Sequence, residues 1–311
     1  MPAKASRDAF GEAVARLGEK YTDVVVLDAD LAKSTKSEIF AKKFPDRFFE
    51  MGIQEANMIG VGAGLALSGK IPFICSFAAF VCGRFDQIKL SIAYSHANVR
   101  VVGSHAGVGI GEDGYSQQGL EDIACMRSLP NMAVIQPADG PETEAAVEYL
   151  ITTHKGPAFL RTTRQKLEQV TGEGYRFEFG KAVKLREGSD LAIFATGGTV
   201  QHAVKAHESL KAQGIAARVV NVHTLKPIDR DAIIDAAKSC KGGILTVEDH
   251  QIVGGLGSAV AEVLAESGIG AKLYRHGLDA FGESGTPEEL YAHFELDAAG
   301  IEKRAKAFLG R

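Results

Sequence analysis

The sequence predicts an α/β protein made of two consecutive open-sheet domains. Short apolar runs that suit buried parallel strands alternate along the chain with longer segments of helical spacing. The 311 residues give room for about two domains of ordinary size. The alternation lapses once, in a polar and glycine-bearing stretch at residues 169–180. We therefore predict a linker there, between a domain of residues 1–168 and a domain of residues 181–311.

The first domain repeats a strand-then-helix unit. Its first strand, residues 23–27, is a continuous apolar run followed by Asp28 and Asp30, as expected where a parallel strand reaches the carboxyl edge of a sheet. Ser6 is the expected cap of the first helix. The other predicted strands are 47–51, 71–76, 99–104, 132–136 and 158–161, and the predicted helices are 5–19, 37–43, 54–68, 80–96 and 141–153.

The second domain has the same alternation without sharing a motif with the first, so no internal repeat is predicted. Its predicted strands are 191–196, 217–222, 243–247 and 272–274, and its predicted helices are 200–212, 229–239, 257–266, 287–293 and 297–308.

Glu55 opens a helix of unusual composition. A carboxylate is favoured in the first turn of a helix by the helix dipole. The rest of this helix is almost wholly Ala, Gly, Leu, Ile, Val and Met, with no further charge until Lys70. Such a helix is expected to be buried on all sides. Glu55 would then be an acid at the mouth of an apolar layer, although an ordinary first-turn acid would give the same pattern.

Composition narrows the classes of function. Hydrophobic residues make up 45% of the chain and charged residues 24%, as in soluble globular proteins. The net charge of −4 provides no basic surface for nucleic acid. No apolar run approaches the ~20 residues that a membrane helix needs, and the first residues do not form a signal peptide. The four cysteines lack metal or redox spacing, so we expect a reducing, cytoplasmic location.

Gly109 to Gly114 satisfies the pattern G-x-G-x-x-G after a predicted strand. Glu112 and Asp113 would face the pyrophosphate of a dinucleotide, and no acid ends the next strand at Gln136, so we do not expect a dinucleotide site. The histidines also show no metal-ligand spacing, and no metal ligand is predicted in this chain.

Three blocks of sequence, with their spacing preserved, resemble the pyrimidine-binding half of transketolase. The resemblance runs from about Arg7 to the C-terminus and implies a thiamine-diphosphate pyrimidine-binding domain followed by a transketolase C-terminal domain. The blocks are Gly52-Ile53-Gln54-Glu55-Ala56-Asn57-Met58, Ser76-Phe77-Ala78-Ala79-Phe80 and Gly109-Ile110-Gly111-Glu112-Asp113-Gly114-Tyr115-Ser116-Gln117.

The resemblance implies a set of residues for the cofactor, thiamine diphosphate. Glu55 would be both catalytic and cofactor-binding, with a hydrogen bond to the ring nitrogen of the aminopyrimidine. Phe77 and Phe80 would flank that ring, although most such pairs are core residues. The family often has a third aromatic residue where Gly83 stands. Asp30 matches an acid near the thiazolium and the dimer contact, although strand-end polarity alone would explain it.

The resemblance also implies a substrate site. Arginine, hydroxyl and imidazole donors suit a phosphate dianion, which favours a sugar phosphate over a plain 2-oxo acid. Asp113 and Gln117 match positions that contact substrate hydroxyls, and Gln117 is grouped with Glu55 as catalytic because many transketolases have a histidine there. The residues that match phosphate-contacting positions are Arg7, Ser34, His105 and Arg164.

The segment that holds the diphosphate and Mg²⁺ in this family, Gly-Asp-Gly followed by Asn some thirty residues later, has no match here. Because Met1 leads almost directly into the pyrimidine domain, we expect the C-terminal subunit of a two-component transketolase. Its partner would be an N-terminal subunit carrying Mg²⁺ and the diphosphate site, in an α2β2 heterotetramer. The pair would transfer a two-carbon ketol unit from a ketose phosphate to an aldose, as in the pentose phosphate pathway.

Three alternatives stay open. The first is another thiamine-diphosphate enzyme, either deoxyxylulose-phosphate synthase-like or the β subunit of a 2-oxo acid dehydrogenase. The presence of Asp113 together with Arg164 favours transketolase over both. The second is a transketolase specialised for an unusual sugar. The third is a non-catalytic assembly subunit, which would have no need of a buried Glu55. Glu248 and His250 lie in a stretch that resembles the transketolase C-terminal domain, and we predict a structural or interfacial role for them.

Overall fold

Two open α/β sheets, one of seven strands and one of five, organise residues 3–311, which are the residues described by this computed structural model. The predicted fold class of two consecutive open-sheet α/β domains is confirmed. The first half contains β1 (Lys4–Ala5), β2 (Val24–Asp28), β3 (Phe48–Glu50), β4 (Ile71–Phe77), β5 (Arg100–Ser104), β6 (Ala133–Ile135), β7 (Ala158–Arg161) and β8 (Lys166–Leu167). Its helices are α1 (Ser6–Leu17), α2 (Ala32–Thr35), α3 (Glu38–Lys43), α4 (Glu55–Leu67), α5 (Ala78–Cys82), α6 (Phe85–Gln87), α7 (Asp122–Ser128) and α8 (Gly140–Thr152).

The second half supplies the remaining elements. Its strands are β9 (Val183–Arg186), β10 (Leu191–Ala195), β11 (Ala217–Asn221), β12 (Thr224–Lys226), β13 (Ile244–Gln251) and β14 (Leu273–Leu278). Its helices are α9 (Thr199–Ala212), α10 (Arg230–Ser239), α11 (Leu256–Ser267), α12 (Pro287–His293) and α13 (Ala298–Leu309). No helix or strand lies in residues 169–180, and the division of the chain into domains at that stretch stays a prediction.

The first sheet has the strand order β12-β6-β7-β5-β4-β2-β3, and all its pairings except that of β12 are parallel. Every residue of β2 and β5 is buried, because helices cover both faces of a parallel sheet. That is why β2 appears in the sequence as a continuous apolar run that ends at Asp28. The second sheet has the order β14-β13-β10-β11-β9, and only its edge strand β9 is antiparallel.

The edge strand β12 of the first sheet comes from the second half of the chain. It pairs antiparallel with β6, with Thr224 opposite Ile135. Next to this pairing, the backbone amide of Gln136 donates to the backbone carbonyl of His223 at 2.8 Å. The strand was not predicted. It joins the two halves through backbone hydrogen bonds as well as through side-chain packing.

Two local predictions in the first half are wrong. The predicted helix 80–96 is three shorter pieces, α5, α6 and a π-helix at Ile88–Tyr94, because Gly83 is a poor helix former and ends α5. Ser6 does not cap α1. Its hydroxyl accepts the Thr163 amide at 2.7 Å and lies 3.0 Å from the Thr163 hydroxyl, so it joins the helix to the segment after β7.

The prediction that α4 is buried on all sides is also wrong for this chain. One side packs on the sheet, where a Cβ added to Gly62 would lie 2.7 Å from Ile74. The opposite side is exposed, including Leu67 at 69%. A helix this apolar normally has cover, and residues 3–311 of this chain do not supply it. We call this side the α4 outer face; its exposed residues, spaced three or four apart, are Asn57, Gly60, Gly64 and Leu67.

Candidate active site

The candidate site lies where the carboxyl ends of β4 and β5 meet the first turn of α4. Parallel strands end at the same edge of their sheet, and ligands of open α/β sheets bind outside that edge. Glu55 begins α4, Phe77 is the last residue of β4, and His105 follows the last residue of β5. The topology therefore brings together residues that are up to fifty positions apart in the sequence.

Glu55 is buried but lightly bonded. Its side chain is 5% exposed, and its Oε1 accepts a hydrogen bond from Ser76 Oγ at 3.2 Å. Within the described chain this hydroxyl is the only group seen to donate to the Glu55 side chain. A carboxylate has about four acceptor positions. Glu55 therefore keeps acceptor capacity for an N–H group of a ligand at the mouth of α4.

Three flat rings follow from Phe77, the residue next to the Ser76 that donates to Glu55. Phe77 and Phe80 stack with centroids 5.4 Å apart and an interplanar angle of 16°. His105 stacks on Phe77 at 4.0 Å and 23°. Phe77 is buried, whereas Phe80 is partly exposed and can offer surface to another flat ring. Gly83, where a third aromatic residue was considered, is exposed at the end of α5.

His105 is a neutral imidazole with a defined tautomer. Arg7 Nη1 lies 2.7 Å from His105 Nε2, and because a guanidinium can only donate, Nε2 must accept. The proton is then on Nδ1, which donates to Ser104 Oγ at 2.9 Å. Burial, reinforced by the nearby positive charges of Arg7 and Arg164, lowers the pKa of His105 to about 3. The ring stays uncharged at neutral pH.

The four residues predicted to contact phosphate lie together. Arg7 Nη1 donates to the Ser34 carbonyl at 3.1 Å, so Ser34 takes part through its backbone rather than its hydroxyl. Arg164 Nη1 donates to the Ile110 carbonyl at 2.8 Å and to Asp113 Oδ1 at 3.4 Å. Burial lowers the pKa of Arg7, and the charge of Arg164 lowers it further. The like charges of Arg7 and Arg164 would be stabilised by an anion bound between the two guanidinium groups.

The other predicted residues lie around this cluster. Asp113 is on an exposed loop and forms its ion pair with Arg164. Gln117 ends the short 3₁₀ turn Tyr115–Gln117 and is half-buried. Asp30 is exposed, with a left-handed backbone (φ 63°), and its amide donates to Glu50 Oε1 at 2.8 Å. Within the described chain Asp30 forms no hydrogen bond or ion pair with the other site residues.

Sequence reasoning missed two supporting serines. Ser76 donates to Glu55, and Ser104 fixes the tautomer of His105. Each is next to a predicted site residue at the end of a strand. Ser76 is a polar residue inside an otherwise apolar run and Ser104 is a buried polar residue at a strand end, and these positions are the signal that could have identified them.

Among residues 3–311 no group of three or more His, Cys, Asp or Glu side chains is arranged to hold a metal ion. None of the helices formed by those residues is both long and apolar enough to cross a membrane.

The chain matches two family models in succession. Residues 3–169 match the transketolase pyrimidine-binding domain, and residues 180–301 match the transketolase C-terminal domain.

Similar proteins match nearly the whole of this chain, and they are either about as long as this chain or about twice as long. A Methanocaldococcus jannaschii protein, whose name describes it as a transketolase C-terminal section, is 47% identical over 305 residues, which are 97% of this chain and 95% of that protein. The 6-deoxy-6-sulfo-D-fructose transketolase subunit SqwH of Clostridium sp. (strain MSTE9) is 41% identical over 96% of this chain and 92% of its own. Human transketolase is 40% identical over 98% of this chain but 49% of its own length, so the chain spans about half of that enzyme.

A solved structure described as a split gene transketolase in an inactive β4 tetramer has the same fold. It superposes with a TM-score of 0.91 at 42% identity and covers 99% of both chains.

Proposed function

This chain belongs to the transketolase family, and from that premise we propose that it is the C-terminal subunit of a two-component transketolase. It would provide the pyrimidine-binding half of the active site. The observation that carries the proposal is Glu55, a buried carboxylate with spare acceptor capacity beside stacked aromatic rings.

Enzymes of this family use thiamine diphosphate, which when bound supplies a nucleophilic carbon that cleaves a ketose next to its carbonyl group. The residues present fit its aminopyrimidine. Glu55 can accept a hydrogen bond from the protonated ring nitrogen and hold that proton in place. Phe80 offers a partly exposed aromatic face, and Phe77 supports it from behind, so both would orient the ring and exclude water.

The sugar-phosphate site would use the cluster around His105. Arg7 and Arg164 would bind the phosphate through charge-assisted hydrogen bonds, and the neutral His105 would complete the site. Asp113 would accept a hydrogen bond from a substrate hydroxyl, and Gln117 can donate or accept beside it. The reaction would be the transfer of a ketol unit from a ketose phosphate to an aldose, within carbohydrate metabolism and including the pentose phosphate pathway.

The partner would cover the α4 outer face and bring the Mg²⁺ and diphosphate site. Support comes from the exposed apolar and small residues of that face and from Ile53, 76% exposed just before α4. The exposed Asp30 lies in the loop after β2, at the carboxyl edge of the sheet where α4 begins. We propose an α2β2 assembly in which this chain also contacts its own copy. Four free cysteines agree with a reducing, cytoplasmic location.

The acidic group of the sugar is a separate question, because one similar subunit is named for a sulfonated sugar. Guanidinium groups and a neutral imidazole can bind a sulfonate as well as a phosphate. Fructose 6-phosphate and 6-deoxy-6-sulfofructose, compared as donors, would identify the preferred anion.

The test is reconstitution. The chain would be mixed with the protein that carries the Gly-Asp-Gly half and assayed with a ketose phosphate plus an aldose, and separately with pyruvate. We expect transfer only in the mixture and only with the ketose, and we expect Glu55→Ala to abolish it. Full activity of Glu55→Ala, or turnover of pyruvate in place of the ketose, would contradict the proposal.

A further inference from the structure

The loop of residues 106–113 connects His105 to Asp113, and we call it the site loop. Its backbone is unusual: His105 has φ 56°, Gly107 φ 78° and Gly111 φ 87°. Left-handed conformations of a non-glycine residue are costly and persist when surrounding contacts hold them. The contacts that hold this loop therefore set where His105 and Asp113 lie.

One of those contacts comes from the second half of the chain. Asp249, in β13, accepts the Val108 amide on Oδ1 at 2.8 Å and the Gly109 amide on Oδ2 at 3.4 Å. The approach is close. A Cβ added to Gly107 would lie 2.1 Å from Asp249 Oδ2, so the loop needs glycine at that position.

Asp249 is held rigidly. It is 1% exposed, and Tyr291 donates its hydroxyl to Oδ2 at 2.9 Å. Gln165 Nε2 donates to the same Tyr291 hydroxyl at 2.7 Å, and Arg161 Nη2 donates to the Asp249 carbonyl at 2.9 Å. Arg161 in turn forms a fully buried ion pair with Asp122 at 2.7 Å. The carboxylate is thus a fixed point for the loop rather than a mobile side chain.

A second contact holds the other side of the loop. Arg164 donates to the Ile110 carbonyl at 2.8 Å, so the loop is fastened through its amides by Asp249 and through a carbonyl by Arg164. We infer that Asp249 is a positioning residue for the sugar-phosphate site: through the site loop, the C-terminal domain sets the placement of His105 and Asp113. That this loop serves a sugar phosphate rests on the proposed function.

The test compares two neighbouring buried acids, Asp249→Asn and Glu248→Gln. Glu248 accepts the Leu256 and Gly257 amides at 2.6 and 2.8 Å and does not contact the site loop, so it is a matched control for replacing a buried acid. In the isolated chain, hydrogen exchange of peptides covering residues 106–112 should be roughly tenfold faster in Asp249→Asn. Glu248→Gln should leave exchange there at the wild-type rate.

Kinetics of the reconstituted enzyme give the second readout. Asp249→Asn should raise KM for the ketose phosphate roughly tenfold and change kcat by less than about threefold, because loop placement affects substrate binding first. Glu248→Gln should change both by less than about twofold. Tyr291→Phe, which removes only the hydroxyl that orients Asp249, should shift exchange and KM in the same direction by a smaller factor.

The inference would be overturned if hydrogen exchange in the site loop of Asp249→Asn kept the wild-type rate. It would also be overturned if Glu248→Gln accelerated that exchange as much as Asp249→Asn does. Unchanged KM in Asp249→Asn would do the same. A reconstituted wild-type enzyme without activity on any ketose phosphate would instead contradict the proposed function, and the exchange experiment would still decide whether Asp249 positions the loop.

Discussion

Glu55 and Glu248 are both buried acids beside the start of a helix, and their surroundings differ. Glu248 is 0% exposed, and its two oxygens accept the first amides of α11. Glu55 is 5% exposed and accepts a single hydroxyl, that of Ser76. A carboxylate that accepts a backbone amide on each oxygen stabilises the fold, whereas one with only a single hydroxyl donor can bind a ligand. The comparison assigns a structural role to Glu248 and a ligand-binding role to Glu55.

The largest expected effect separates the two acids by activity. Glu55→Gln in the reconstituted enzyme should lower kcat by at least about 100-fold, because the proton on the aminopyrimidine loses its charged acceptor and keeps only a neutral amide oxygen. Glu248→Gln should stay within about twofold of wild type, because the hydrogen bonds of Glu248 go to amides of α11 and none goes to the site loop. Steady-state assays of both variants with the same partner preparation check this. Equal losses in the two variants would remove the distinction.

Arg164→Ala tests whether the first half also binds the anionic group of the substrate. Loss of a charge-assisted hydrogen bond should raise KM for a ketose phosphate roughly 10- to 100-fold, and KM for the unphosphorylated ketose by a much smaller factor, because Arg164 also fastens the site loop. Arg186→Ala is the control, because this arginine lies in β9 of the second sheet and pairs with Glu208 of α9. If Arg164→Ala weakened both ketoses equally, its role would be to support the loop through Ile110 rather than to bind the anion.

Replacing Glu248 should lower the free energy of unfolding, whereas the main effect of replacing Glu55 should be on activity. In Glu248→Gln one amide of α11 faces an NH₂ group, which should cost about 1–3 kcal/mol of unfolding free energy. Burial raises the pKa of Glu248 to about 7. The folded wild type therefore keeps a proton that the unfolded chain loses above about pH 4.3, and this group's contribution to stability falls as pH rises to about 7.

Glutamine does not titrate, so the stability difference between wild type and Glu248→Gln should narrow between about pH 5 and pH 7. Urea unfolding at intervals across that range measures it. A difference that widens with pH would show that the amides of α11 hold the pKa of Glu248 down instead.

The smallest expected effect concerns the α4 outer face. Gly60→Ala should stabilise the isolated chain by about 0.5–1 kcal/mol, because no atom lies within 4 Å of the added methyl group. The same methyl should weaken association with the partner half. The methyl group added in Gly62→Ala would point towards Ile74, so this variant should destabilise the isolated chain instead. Thermal unfolding and a binding titration check both, and unaltered association of Gly60→Ala would mean that the face is covered by something else.

The fold was predictable because its strands are apolar runs long enough to recognise, such as β2 and β4. The strand β12 was not, because three residues carry no periodicity and their partner β6 is about ninety positions away. The exposure of α4 was mispredicted for a different reason. Composition shows that a helix needs cover, but it does not show whether the cover belongs to the same chain.

The candidate site was predictable where a side chain carries the signal and unpredictable where the backbone does. Glu55 belongs to one recognisable block and Phe77 and Phe80 to another, and the structure brings the two rings together. Asp249 holds the site loop through the amides of Val108 and Gly109, and every residue except proline has such an amide. No pattern in the sequence distinguishes those two amides from the others.

The most direct measurement is calorimetric titration of thiamine diphosphate with Mg²⁺ into this chain alone, and into its mixture with the half that carries Gly-Asp-Gly. We predict binding only in the mixture, and weaker binding when the mixture contains Glu55→Gln. Tight binding to the isolated chain, or no binding in the mixture, would contradict a site shared between two subunits.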